Sequence, residues 1–181
     1  AESNYDQSLD NIRALLNPLH VTSFCLCDSL QEESYYGAEQ VLVLSASSKT
    51  AIGMAQGLAD DDGAPTIVGI TSRANYDFVQ SLGCYREIVC YDELDAINNS
   101  KPTVMVDMAG NRAVLGALHG PLGDNMLSCV SVGMTHWETL ADNDPMAAQI
   151  NRGRSSFFFA PAHVQKRIGD WGQDGFNQRT G

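Results

Sequence analysis

Val41-Leu42-Val43-Leu44-Ser45-Ala46-Ser47-Ser48-Lys49-Thr50-Ala51-Ile52-Gly53 is the stretch that decides the fold. Its first four residues are continuously apolar, which suits a strand buried on both faces of a parallel sheet. Small polar residues follow at once. An amphipathic helix begins after them, with Ile52, Ala55 and Leu58 on one face. This order brings the unpaired amides of a first helical turn, and the positive end of the helix dipole, to one point at the sheet edge. Such a point receives a phosphate, so the stretch predicts a bound nucleotide.

The pattern recurs along the chain. Strands are expected at about 40–45, 66–70, 87–90, 103–107, 127–132 and 156–159, and helices at about 49–59, 76–82, 111–119 and 161–169. Asp60-Asp61-Asp62-Gly63 reads as a solvated loop, and Asp142-Asn143-Asp144-Pro145 as a surface insertion. Ahead of the first strand, 1–17 reads as a polar helix with a narrow stripe of Leu9, Ile12, Leu15 and Leu16. Pro18 is expected to interrupt it before a second helix at about 20–31. Near-continuous apolar strands alternating with helices predict an α/β fold: an open, doubly wound parallel sheet of about six strands with flanking helices. The chain divides into an N-terminal helical segment (1–36), a nucleotide-binding domain (37–160) and a C-terminal helix and tail (161–181).

The chain has 181 residues, enough for one domain with a real core. Eleven basic residues stand against 22 acidic ones, for a formal net charge of -11. That balance opposes binding to nucleic acid or to an anionic membrane. The five cysteines (Cys25, Cys27, Cys84, Cys90, Cys129) form no C-x-x-C and lie in or near apolar segments. They read as buried free thiols of a cytoplasmic protein. His20, His119, His136 and His163 do not complete a zinc spacing with Cys25-x-Cys27, and no metal is expected.

On a dinucleotide template, the three fingerprint glycines fall on Ala46, Ser48 and Ala51. Side chains this small still let a backbone approach a pyrophosphate, though a positive φ would carry a steric cost. Ser47, Ser48 and Thr50 add hydroxyl donors and Lys49 a cation. The second strand runs out into Thr71-Ser72-Arg73 without a carboxylate for a ribose 2′-hydroxyl. Hydroxyls beside an arginine suit a 2′-phosphate, so NADP(H) is expected over NAD(H). A helix cap at Ser72 with a solvated Arg73 is the plain structural alternative.

Two other readings of the stretch stay open. Ser48-Lys49-Thr50 resembles the end of a P-loop, with Asp107 as a magnesium ligand, but Val43 and Ser48 occupy the required glycine positions. Alternatively, the turn serves only close helix–strand packing and holds no ligand.

In order and spacing, the segments at 41–59, 66–83, 87–92, 103–110 and 127–133 resemble the cofactor (Rossmann) domain of the medium-chain dehydrogenase/reductase superfamily, quinone oxidoreductase-like branch. Five phrases resemble more closely a mostly bacterial family of domains of unknown function. They are Ser45-Ala46-Ser47-Ser48-Lys49-Thr50-Ala51, Ser81-Leu82-Gly83-Cys84-Tyr85, Val106-Asp107-Met108-Ala109-Gly110-Asn111, Ser131-Val132-Gly133-Met134-Thr135-His136-Trp137-Glu138 and Phe157-Phe158-Phe159-Ala160-Pro161. The resemblance spans roughly residues 15–176. It implies a Rossmann-like fold in which Ala46, Ser47, Ser48, Lys49, Thr50 and Ala51 hold the pyrophosphate. Thr71, Ser72 and Arg73 would face the adenosine ribose, and Tyr91 would lie near the adenine. Met108, Ala109, Gly110, Gly133, Met134 and Thr135 would border the nicotinamide. Medium-chain reductases carry a β-rich catalytic domain ahead of this region. With the first strand near residue 40, that domain is expected to be absent from this chain.

Hydride transfer asks the protein mainly to place the nicotinamide and polarise the acceptor. His136, just past the fifth strand, is the candidate proton donor. Beside Trp137 and Glu138 it reads more readily as a packed structural residue. Asp107 reads as a turn or cap residue, and Lys166, Arg167 and Trp171 as a tail helix packed on the sheet edge or a partner. The function expected is an NADP(H)-binding domain of an oxidoreductase reducing a carbonyl or activated double bond. The alternative is a non-catalytic nucleotide-binding or dimerisation module. The partners expected are a small-molecule substrate and no nucleic acid or membrane, with a homodimer allowed.

Overall fold

The computed structural model of the protein describes residues 10–132 and 149–180. Six strands form one parallel sheet: β1 (Gln40–Leu44), β2 (Thr66–Thr71), β3 (Glu87–Cys90), β4 (Thr103–Asp107), β5 (Met126–Val132) and β6 (Ser155–Phe158). Between and around them run α1 (Asp10–Glu32), α2 (Lys49–Ala59), α3 (Tyr76–Ser81), α4 (Arg112–Leu122) and α5 (Ala160–Thr180). The spatial order is β3-β2-β1-β4-β5-β6, the Rossmann order. β1 pairs with β2 on one side and β4 on the other, so the winding reverses between β1 and β4. At such a reversal the two connections part and leave a crevice beyond the carboxyl ends of the strands.

Side chains alternate across the sheet as the strand pleat requires. Val41, Val43, Val104 and Val106 face a cluster completed by Met54, Ala55 and Leu58 of α2 and Leu26 and Leu30 of α1. Leu42, Leu44 and Met105 face Val114, Leu118 and Leu122 of α4. Both faces are therefore covered, which is why these strands read as unbroken apolar runs. All five cysteines are free and buried. Desolvation pushes the thiols of Cys25, Cys27 and Cys129 up to about 11, 12 and 12, so they act as small apolar side chains.

Three expectations are corrected. Pro18 does not interrupt the first helix but lies inside α1. Its own carbonyl still accepts, from Thr22 Oγ1 at 2.8 Å. Burial of Cys25, Leu26, Cys27 and Leu30 stabilises the helix beyond the proline. The tail helix continues to Thr180, turning at Gly172, whose φ is +72°. It packs mainly on α1, where Phe24 meets Trp171 and Phe176 edge-on with centroids 6.4 and 6.2 Å apart, and its first turn also touches the sheet edge, with His163 5.7 Å from the Phe158 ring of β6. Arg167 donates to Asp28, Glu32 and Asp170, and His163 Nε2 lies 2.6 Å from Asp28. Finally, Asp61 is no loosely solvated loop residue. It accepts from Tyr35 Oη, from Gln31 Nε2 at 3.0 Å and from the amide of Gly63 at 2.8 Å.

Candidate functional site

The turn after β1 sits at the reversal of the sheet. Ser45 takes a φ of +58°, in the left-handed region that costs an L-residue about 1–2 kcal/mol. Four backbone groups of the turn are tied. The Ser45 amide donates to Tyr91 Oη at 3.1 Å and the Ala46 amide to the Ile70 carbonyl at 3.0 Å. The Ala46 carbonyl accepts from Tyr85 Oη at 2.9 Å, and the Ser45 carbonyl from the Ser48 amide at 2.8 Å. At the helix opening, Ser48 caps α2, its hydroxyl accepting from Ala51 N at a long 3.4 Å. Among the described residues, the amides of Ser47, Lys49 and Thr50 meet no acceptor. These three donors, with the positive end of α2, are what an anion would meet.

The substitutions at the glycine positions fit this role. Ala46 and Ala51 are fully buried, so their methyl groups point into the core and not at the turn's open side. Ser48 spends its hydroxyl on the cap. Ser47 Oγ accepts from Asn75 Nδ2 at 3.1 Å, which links this turn to the one after β2. Lys49 is exposed and Thr50 half-buried.

At the end of β2, Thr71 is buried, and its hydroxyl has no partner among the described residues. Ser72 precedes a single helical turn (Arg73–Asn75) and makes no side-chain cap there. Arg73 is exposed and pairs with Glu93 at 2.8 Å and Asp92 at 3.0 Å. Glu93 and then Asp92 raise the guanidinium's pKa, and Arg73 in turn holds the Asp92 carboxyl below its ordinary value. The absence of a carboxylate at this corner, expected from β2, is thus corrected: the turn after β3 delivers two. Cys90, Asp92 and Glu93 place ligand atoms within 4.8 Å of one another, but Arg73 already supplies the positive charge there. Tyr91, expected near an adenine, is half-buried and reaches across to Ser45.

Beyond β4, Asp107 is buried and accepts from the amides of Ala109 and Gly110 at 3.0 Å. This is the turn role expected of it. It fixes Met108, Ala109 and Gly110 opposite the β1 turn, with Gly110 at φ +67°. Asn111 caps α4 by accepting from Ala113 and Val114, so that helix opening is spent. His136 and its neighbours Gly133, Met134 and Thr135 lie outside the described residues, as does the expected insertion at 142–145. A cavity of about 480 Å³ lies at the opposite, amino edge, lined by Leu58, Asp61, Pro65, Cys84 and Arg86. The free amides lie at the carboxyl edge, and the candidate site is placed there.

Sequence reasoning missed Tyr85, Asp92, Glu93 and the bond from Asn75. The one signal for Tyr85 is Gly69 in mid-strand. A Cβ there would lie 2.8 Å from Tyr85 Cδ1 and 3.1 Å from the Ala46 Cβ, so glycine makes room for the tyrosine ring.

No curated protein matches the chain. Two of the solved structures that share its fold are oxidoreductases. One is the CurK enoyl reductase, 18% identical with a TM-score of 0.58, over 87% of this chain and 46% of that one. The other is the yhdH oxidoreductase from Salmonella enterica in complex with NADP, 15% identical with a TM-score of 0.55, over 89% of this chain and 52% of that one. The chain thus spans about half the length of each. The model of a protein family described as "Protein of unknown function (DUF2855)" matches residues 1–181, and the chain belongs to that family.

Proposed function

We propose that this chain binds NADP(H) and forms the cofactor domain of a medium-chain-type oxidoreductase that reduces a carbonyl or an activated double bond. The observation that carries the reading is the set of unspent amides at Ser47, Lys49 and Thr50, at the reversal between β1 and β4. The fold shared with an oxidoreductase solved with NADP supports it.

A bound nicotinamide supplies the hydride; the chain's residues bind and orient. The three amides and the α2 dipole favour the diphosphate, with Lys49 as a nearby cation. Arg73, turned from Asp92 and Glu93, offers a planar fork to a 2′-phosphate. Asp107 fixes the 108–110 turn that would border the nicotinamide. From its place after β5 in the sequence, His136 is the candidate proton donor to the acceptor.

Thermal shift with NADP⁺, NAD⁺ and ATP–magnesium tests this reading. A ligand that binds only the folded state stabilises it by RT ln(1 + [L]/Kd). The largest shift is expected with NADP⁺; no shift with either dinucleotide would refute the reading. The pairing of Arg73 with Asp92 and Glu93 favours a second reading, a non-catalytic nucleotide module indifferent to the 2′-phosphate. Equal shifts with NADP⁺ and NAD⁺ would select it.

A further inference from the structure

A left-handed turn without glycine needs something to hold it. Ser45 keeps a φ of +58° with a side chain present. The two groups that could let the turn relax, the Ser45 amide and the Ala46 carbonyl, are each taken by a tyrosine hydroxyl. The tyrosines flank β3. Tyr85 precedes the strand and belongs to the buried cluster on the α2 face. Tyr91 follows it and packs against the cluster on the α4 face. They close on the turn from opposite sides of the sheet. Tyr91 Oη also lies 3.3 Å from Ser45 Oγ. Tyr85 is buried, over the Cβ-free backbone of Gly69.

We propose that Tyr85 and Tyr91 are positioning residues that clamp the left-handed turn of Ser45 and Ala46, so that the amides of Ser47, Lys49 and Thr50 stay aimed at the diphosphate of a dinucleotide. Neither tyrosine needs to touch the ligand. The inference rests on the nucleotide reading for its ligand, but the clamp itself is a property of the free chain. Removing either hydroxyl orphans one backbone group and frees the turn to leave the left-handed region.

The test uses the full chain with Tyr85→Phe, Tyr91→Phe, Ser45→Gly and the double variant Tyr91→Phe/Ser45→Gly. Affinity for NADP⁺ is measured by calorimetry, well below each variant's melting temperature. Each phenylalanine variant is expected to weaken NADP⁺ about tenfold, the size of one lost hydrogen bond in a preorganised site. Ser45→Gly should restore most of the affinity lost in Tyr91→Phe, because glycine takes a positive φ without help. A role in stability alone would not give that rescue. Wild-type affinity in both phenylalanine variants, or no rescue by Ser45→Gly, would overturn the proposal. Amide exchange without ligand separates the two readings. Protection at Ser45 should fall in Tyr91→Phe, and unchanged protection refutes the clamp. A wild-type chain that ignores NADP⁺ refutes the nucleotide reading, and exchange alone then decides whether the clamp exists.

Discussion

Arg73 Nη2 lies 2.8 Å from Glu93 Oε1, although the two residues stand at the ends of different strands and both are more than half exposed. Asp92 shares the same guanidinium nitrogen at 3.0 Å. A 2′-phosphate must compete with these carboxylates for Arg73. Removing their charge in Asp92→Asn/Glu93→Gln should strengthen NADP⁺ by about three- to tenfold and leave NAD⁺ nearly unchanged, since exposed pairs are worth little each. Arg73→Ala should do the reverse, weakening NADP⁺ alone. Calorimetry with both dinucleotides reads this directly, and a parallel change for both would speak against a 2′-phosphate at this corner.

The two terminal helices are fastened by charge. Arg167 is 10% exposed on its side chain and faces Asp28, Glu32 and Asp170, while Lys166 also pairs with Glu32. Its guanidinium also lies 5.0 Å from the centre of the Trp171 ring. Arg167→Met should destabilise the chain by about 3 kcal/mol, because the half-buried Asp28 is left with His163 alone and Glu32 loses one of its two cations. Adding Asp28→Asn to that variant should recover part of the loss. Urea denaturation measures both, and an additive result would mean that the pair does not act as one unit.

His119 is 3% exposed, and its Nδ1 accepts from the Asn151 amide at 3.0 Å. Desolvation lowers its pKa from 6.5 to about 4. The unfolded chain therefore binds a proton between pH 6.5 and 4 that the folded chain refuses. Stability from this residue is full above about pH 6.5 and falls as pH drops toward 4, by about 3 kcal/mol in all. In His119→Asn, which keeps an acceptor for Asn151, that slope should vanish. An unchanged pH profile would place the acid sensitivity elsewhere.

Close packing of α1 on α2 rests on two glycines. A Cβ at Gly53 would lie 2.7 Å from Ser23 Oγ, which donates to the Thr50 carbonyl, and a Cβ at Gly57 would lie 3.0 Å from Cys27 Sγ. Gly53→Ala is expected to cost about 1–3 kcal/mol by overpacking, despite alanine's better helix propensity. The cost should shrink in a Ser23→Gly background, as melting curves of the double-mutant cycle would show.

These relationships differ in how far the sequence discloses them. The strand at 40–44 and the helix at 49–59 were readable because burial on both faces leaves an unbroken apolar run, and Ser48 marks the helix start. Pro18 misled because propensity is local, whereas the helix around it is held by packing further along. The pairing of Arg73 with Glu93, and of Tyr85 with Ala46, depends on which strands become neighbours. The order β3-β2-β1 creates both contacts, and no spacing in the sequence encodes it. Gly69 passes unremarked within the strand at 66–70, because its reason lies in a ring sixteen positions later.

The most direct measurement is a titration of the ¹⁵N-labelled chain with NADP⁺, followed by amide chemical shifts. The account predicts that the amides of Ser47, Lys49 and Thr50 move first and furthest, with those of Ser45 and Ala46 held nearly still. Saturable shifts elsewhere with these three unmoved, or no shifts at millimolar NADP⁺, would contradict it.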